Sequence, residues 1–393
     1  MKICLFVDEF TAGSTPKLIS YPAIELQKLG HEVCIIILYK RNTNEEKNLI
    51  KEFLIKKKIK FRFVSDQIPE FILKINFKFP FMDFFSLHHI LGFFFTHRVV
   101  GKKEFDYVIS SCQYSFFSNI NIKLIRKIPH SLIVWDPSSW TAKKLFRNRM
   151  NFLAYIVFRV LCFFLDKISF FFANSLISSC KFHEKEFLKF NKNIDYVYPC
   201  SLNFKIKDVK KNNNILVFDR WDNGNNPIKY LELIKILKKN NSNFKLLIGG
   251  TWHINEQKEK FFKKIKSEQI EDNINYLGYL NDNQISSYAA ESKYHINLVH
   301  EAFGMPSLEV SKYGCLPFVV KNSGVLDILN LPNELIIEKE IPMHKLAERI
   351  LLLNNDEKFF FEISESLKLN SAVFVWEKYA KDLENIIKKN CNL

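Results

Sequence analysis

The stretch from Tyr294 to Leu329 limits the fold more than any other part of the chain. It reads YHINLVHEAFGMPSLEVSKYGCLPFVVKNSGVLDIL. The mostly apolar run His295 to Val299 has the length and composition of a strand. A short polar, glycine-bearing loop follows from His300 to Met305. Pro306 suits the first turn of a helix, where a missing N–H costs nothing. Leu308, Val310 and Tyr313 continue that helix, and Gly314 fits its C-terminal stop. Leu316 to Val320 is a second strand. Strand, loop, helix, strand is one unit of a parallel α/β sheet.

The chemistry of this unit sits in its loop. A helix start carries a partial positive charge and unpaired N–H groups, so Phe303 to Ser307 is a candidate anion site. Gly304 allows backbone to approach a ligand closely. Glu301 and Glu309 frame the loop. Taken alone, the two carboxylates read equally as ligand contacts or as acids that stabilise a helix start.

The run Glu301-Ala-Phe-Gly-Met-Pro-Ser-Leu-Glu309, followed by Gly314 and Pro317, resembles the E-x7-E motif of the retaining GT-B glycosyltransferases of family 4. The resemblance implies that Glu301 contacts the transferring sugar and Glu309 the ribose of a nucleotide. It implies that N–H groups of Phe303, Gly304 and Met305 meet the diphosphate and sugar.

At 393 residues the chain exceeds one ordinary core and fits two domains. A hydrophobic content of 47% with 25% charged residues is globular rather than disordered. Met1-Lys2 leads straight into a strand-length run, so no secretory leader is expected. The most apolar region, Phe152 to Phe172, is interrupted by Arg159, Asp166 and Lys167. No run reaches the ~18 uncharged residues of a membrane span. The eight cysteines show no CxxC or Cys/His spacing for zinc. Their apolar contexts fit a reducing, cytoplasmic compartment. The net charge of +15 invites an anionic partner, although abundant Lys, Asn, Ile and Phe also reflect an AT-rich coding bias. No nucleic-acid motif accompanies the charge.

In the first half, Ile3 to Val7, Val33 to Leu38, Phe61 to Val64, Tyr107 to Cys112, Leu132 to Trp135 and Tyr196 to Pro199 read as strands. The loop Asp8 to Pro16 holds Gly13, followed by Ser14. It is not a GxGxxG fingerprint, so no dinucleotide cofactor is expected. Lys51 to Lys60 reads as a basic helix. Ile68 to Val100 is rich in Phe beside Lys74, Lys78, His97 and Arg98. It reads either as core helices or as a surface that enters a membrane interface. Asp136, in an Asp-Pro turn at a strand end, faces the ligand crevice of an open sheet or merely caps that turn. Arg147 to Leu165 reads as a long apolar helix. Asn174-Ser175 is expected to cap a helix from Leu176.

Lys205 to Asn214 has linker composition. The domains are therefore set at residues 1–204, 205–374 and a final helix, 375–393. In the second domain, Ile215 to Phe218 and Phe244 to Ile248 read as strands. Asp219 to Pro227 resembles the family's Gly-Arg loop, in which an Arg and a Lys clamp the donor diphosphate. Arg220 fills the first place, and Asn225 stands in the second. Losing one cation from such a clamp removes a contact of roughly 1.5–3 kcal/mol. Gly249-Gly250 reads as a loop passing close to ligand, and Tyr279-Leu280 resembles the strand end that meets the nucleobase. Ser323 to Asp327 and Phe374 to Lys378 match the family's Gly-Gly-x-x-Glu turn and the opening of its last helix.

The resemblance implies a GT-B α/β fold: two Rossmann-like domains facing a cleft, with the last helix returning to the first. It implies a metal-independent, front-face transfer that retains anomeric configuration. The donor would be a UDP- or GDP-sugar, used as substrate with no cofactor. Glu301, Arg220 and Asp136 would be catalytic. Gly13, Ser14 and Asp136 would lie on the acceptor side. The expected acceptor is a glycan or lipid-linked sugar of cell-surface polysaccharide or lipopolysaccharide synthesis, at the inner face of a membrane. Three departures, Asn225, Trp135 where relatives carry His, and a single glycine at position 13, keep a catalytically silent partner of another transferase as the alternative.

Overall fold

The structure is a computed structural model that describes residues 1–9, 14–39, 52–73, 87–143, 147, 150–206, 209–221, 225, 227–240, 243–252 and 254–392. The chain divides into two compact units. The first comprises Met1–Pro199 and Trp376–Leu393, and the second Cys200–Val375. The first unit thus ends at Pro199, not at residue 204. Residues 201–204 belong to the second unit, where the Lys312 ammonium donates to the Ser201 carbonyl at 2.9 Å and Phe204 N–H donates to the Tyr313 hydroxyl at 2.9 Å.

The first unit is built on a parallel sheet in the order β3-β2-β1-β4-β5-β6-β7. Its strands are β1 (Lys2–Val7), β2 (Glu32–Ile37), β3 (Lys60–Phe63), β4 (Tyr107–Ser110), β5 (His130–Val134), β6 (Ser175–Ser178) and β7 (Ile194–Tyr196). β1 and β2 bury every residue but the first, as strands covered by helices on both faces require. The main helices are α1 (Ser14–Lys28), α2 (Leu87–Phe95), α3 (Gln113–Arg126) and α4 (Phe152–Phe172).

Two expectations fail here. The apolar helix runs on to Phe172, and Ser175–Ser178 is a strand, so Asn174 caps nothing. Instead, the Asn174 side chain accepts from His130 N–H at 3.0 Å, and its own N–H donates to the His130 carbonyl at 2.8 Å. That reciprocal pair sets β6 beside β5. The Phe-rich segment reads as a short helix, Glu70–Leu73, and α2, and Phe77, Phe79, Phe81, Phe84 and Phe85 lie outside the described residues.

The second unit has the order β10-β9-β8-β11-β12-β13. Its strands are β8 (Asn212–Trp221), β9 (Lys245–Trp252), β10 (Ile274–Gly278), β11 (Ser292–Ile296), β12 (Leu316–Val320) and β13 (Ile336–Ile337). Helices α5 (Ile228–Lys239), α6 (Asp282–Glu291) and α7 (Met305–Ser311) connect them. Counted within the unit, this is the 3-2-1-4-5-6 order of a doubly wound nucleotide-binding sheet. The order reverses between β8 and β11, and ligands bind such sheets at the carboxyl ends of the strands flanking that reversal.

The last helix, α8 (Trp376–Asn390), belongs to the first unit. It buries Trp376, Tyr379, Ala380, Leu383, Ile386 and Ile387, one stripe at helical spacing. Trp376 stacks on Tyr21 of α1 with centroids 5.4 Å apart, and Glu384 meets His31 at 3.0 Å.

Candidate functional site

Strand β8 is longer than its apolar core suggests. It continues through Asp219, Arg220 and Trp221, paired with Gly250, Thr251 and Trp252 of β9. Arg220 therefore projects from a strand end rather than from a flexible loop, and it is exposed. Its N–H donates to its neighbour's Asp219 carboxylate at 2.7 Å. The Asn225 amide turns back and donates to the Arg220 carbonyl at 3.3 Å.

Gly249 and Gly250 are not a loop. Both lie in β9. A Cβ on Gly250 would stand 1.9 Å from the Asp219 carbonyl oxygen, and its φ of +124° is open to glycine alone. A Cβ on Gly249 would stand 2.4 Å from Leu280 Cδ1. The indole of buried Trp221 donates to the Gly249 carbonyl at 2.9 Å. Strand packing accounts for both glycines. Leu280 is buried against Gly249, whereas Tyr279 is exposed beyond the end of β10.

Across the sheet reversal, β11 covers Ser292–Ile296, not 295–299. The residues that follow leave the ladder because the Asn297 side chain takes over: its carbonyl accepts from Val299 N–H at 2.9 Å, and its amide donates to Glu301 Oε2 at 2.6 Å. Gly304, at φ +100°, turns the chain into α7, with Phe303 buried and Met305 opening the helix. A Cβ there would press at 3.3 Å on both Glu301 Oε2 and Val325. The turn at Ser323 to Val325 braces the loop: Ser323 Oγ accepts from Glu301 N–H at 3.3 Å, and Val325 N–H donates to the Phe303 carbonyl at 2.6 Å. Glu309 lies half-buried on α7.

Tyr230, on α5, ties the two sides of the reversal together. Its hydroxyl donates to the Ile296 carbonyl and accepts from Leu298 N–H, both at 3.4 Å. Burial raises its pKa, and the Asp219 carboxylate, with Glu301 more weakly, pushes the same way. The phenol stays neutral between two acids. Arg220, Asp219, Tyr230, Asn297 and Glu301 thus flank the crevice at the carboxyl ends of β8 and β11.

In the first unit, Asp136 follows β5 and meets His183 Nε2 at 2.9 Å. The imidazole is buried, and the carboxylate side chain is 20% exposed. Trp140 packs edge-on to that ring, centroids 5.0 Å apart. Gln113, at the start of α3, donates to the Asp136 carbonyl at 2.9 Å and to Asp166 Oδ1 at 3.2 Å. Asp166 also accepts from the N–H groups of Ser138 and Ser139 at 2.8 Å each, and from Ser139 Oγ at 2.7 Å. Its burial raises its pKa against those contacts. A second pair, Asp8 after β1 and buried His89, stands 3.7 Å apart. Ser14 opens α1, and Gly13 lies outside the described residues.

The sequence reading missed His183, Tyr230, Asn297 and Gln113. His183 had a signal. Reading 175–178 as a strand beside β5 brings the residues after it toward Asp136.

No curated protein matches the chain in sequence. Residues 201–388 match the family model of the Glycosyl transferases group 1. A sucrose-phosphate synthase from Thermosynechococcus elongatus superposes with a TM-score of 0.75 at 10% identity, covering 99% of each chain. HepE from Anabaena, in complex with UDP and glucose, gives 0.69 at 14%, covering 99% of this chain and 100% of its own. A TarM variant from S. aureus, in complex with fondaparinux, α-GlcNAc-glycerol and UDP, gives 0.71 at 12%, covering 98% and 99%. The chain has the GT-B fold of two parallel α/β units, and its residues 201–388 carry the match to the group 1 glycosyl transferases.

Proposed function

We propose that the protein is a retaining, nucleotide-sugar-dependent glycosyltransferase. The observation that carries the reading is the crevice of the second unit. There Arg220 lies in the last rungs of β8 while the Glu301-to-Glu309 turn follows β11, inside the segment that matches the family model.

The leaving group is a nucleoside diphosphate, so negative charge grows on phosphate as the glycosidic bond breaks. Arg220 and the N–H groups opening α7 would stabilise that charge, which is where preorganised donors contribute most. Glu301, oriented by the Asn297 amide, would hold the sugar hydroxyls, and Glu309 the ribose. The acceptor proton would pass to the leaving phosphate on the face from which the acceptor attacks, so configuration is kept without a covalent intermediate. Tyr279 and Leu280 would border the base. UDP in two of the similar structures supports a UDP-sugar donor, with GDP-sugars the other candidates. The acceptor would be a glycan or lipid-linked sugar bound near Asp136 in cell-surface polysaccharide synthesis.

A thermal-shift screen against UDP-, GDP-, ADP- and dTDP-sugars tests the donor, since saturation at 100 Kd raises stability by ~2.7 kcal/mol. Transfer by wild type, lost in Glu301→Ala with the fold intact, is the expected result. Transfer by Glu301→Ala at the wild-type rate would exclude the assignment. One observation favours a second reading, a catalytically silent binding partner: Asn225 stands where a clamp cation is expected, and its amide is turned to the Arg220 carbonyl. A chain that binds a nucleotide-sugar yet neither hydrolyses nor transfers it would support that reading.

A further inference from the structure

Helix α4 is apolar on both sides. One side packs inward through Phe158, Cys162, Leu165, Asp166, Ser169 and Phe170. The other presents Leu153 (75% exposed), Ile156, Val157, Val160, Phe164 and Phe171 (71% exposed), a stripe at helical spacing. Patches of more than a few hundred Å² are uncommon on soluble monomers and mark an interaction surface. Helix α3 packs against both α2 and α4. Its last turn exposes Leu124 and Ile125, and α2 exposes Ile90 and Phe94.

Charge decides what covers this face. Among the described residues from 87 to 172 the exposed cations are Arg98, Lys102, Lys103, Lys127, Lys143, Arg147, Arg159 and Lys167, against only four acids. Every acid is engaged elsewhere. Glu104 pairs with Arg62, Asp106 accepts from Lys2 N–H, Asp136 pairs with His183, and Asp166 is buried. Arg159 and Lys167 lie exposed among the apolar side chains of α4, with Arg159 5.8 Å from the Tyr155 ring. A second copy of this chain would bring like charges together on top of a net charge of +15 each. An anionic bilayer neutralises those cations and takes up the apolar stripe. Among the described residues no helix is long and apolar enough to cross a membrane.

We propose that the outer face of α4, extended by the exposed ends of α2 and α3, docks the protein on anionic lipid. This deepens the lipid-linked acceptor reading above, yet it stands on a surface that takes no part in donor binding.

Co-sedimentation of the full chain with vesicles of phosphatidylglycerol in phosphatidylcholine, and with phosphatidylcholine alone, tests it. Wild type should bind the anionic vesicles and release as salt rises. The double variant Val160→Asp, Phe164→Asp changes two exposed positions and should melt like wild type while partitioning at least about tenfold more weakly. No binding by wild type, equal binding to neutral vesicles, or unchanged binding by the variant would each overturn the proposal. So would sedimentation of wild type as a dimer that the variant splits, with neither binding lipid. Donor-induced thermal shifts report on the second unit separately, so failure here and failure of the transferase reading are distinguishable.

Discussion

Asp136 meets the buried His183 imidazole just beyond the end of β5. Asp136 alone could be an Asp-Pro cap. With a buried imidazole 2.9 Å away it is an oriented acid, and the Gln113–Asp166 network holds its backbone. If it positions the acceptor, Asp136→Asn keeps the shape but loses the charge. Transfer should then fall on the order of 10²-fold, with the donor KM unchanged, measured by initial rates against both substrates. An equal rise in donor KM would remove Asp136 from the acceptor side. Glu309→Ala should do the opposite: it raises the donor's apparent KM severalfold and leaves kcat near wild type, because the ribose is bound equally in ground and transition states. Asn225→Lys asks whether the missing cation matters. Restoring a charge-assisted contact of roughly 1.5–3 kcal/mol should tighten donor binding about tenfold or more, read by calorimetry.

At the scale of elements, periodicity located the buried strands because a strand covered on both faces must be apolar throughout. β12 is observed as read, Leu316–Val320. The misreadings share one cause: long-range pairing overrides local composition. Asp219-Arg220-Trp221 and Gly249-Gly250 look like loops, yet β8 and β9 zip together through them because Trp221 buries its indole there and donates to Gly249. Ser175–Ser178 looks like a capped helix start, yet pairing with β5 on one side and β7 on the other makes it a strand. The glycine pair also shows how a motif can mislead, since a glycine that resembles a ligand loop is required by its neighbouring strand. Gly250→Ala should therefore cost about 2–4 kcal/mol of stability in the absence of any donor, measured by urea denaturation. A variant as stable as wild type that loses only donor affinity would return Gly250 to the ligand.

Across the whole molecule, each unit carries one buried neutral histidine in its sheet, and these two set a shared pH limit. His130 on β5 directs Nδ1 to the Ile128 carbonyl at 2.7 Å, and His295 on β11 directs Nδ1 to the Leu216 carbonyl at 2.9 Å. The carbonyls accept, so Nδ1 carries the proton in both rings, and each Nε2 is buried with no hydrogen-bond partner. Burial lowers both pKa values to about 4. The unfolded chain takes up a proton near pH 6.5 while the folded chain does not, so stability is whole above that pH and falls as pH drops toward 4. The full difference is on the order of 3 kcal/mol for each ring. Glu384, held below its usual range by Lys388 and then His31, acts with the same sign in a lower window. Urea denaturation from pH 7 to 4.5 should show stability declining by about 1 kcal/mol per pH unit in each unit's transition. His295→Gln should flatten that slope for the second unit alone, whatever its cost at neutral pH, because a side chain that cannot titrate leaves nothing for the unfolded chain to gain. An unchanged slope in that variant would mean that His295 is charged, or reached by water, in the folded protein.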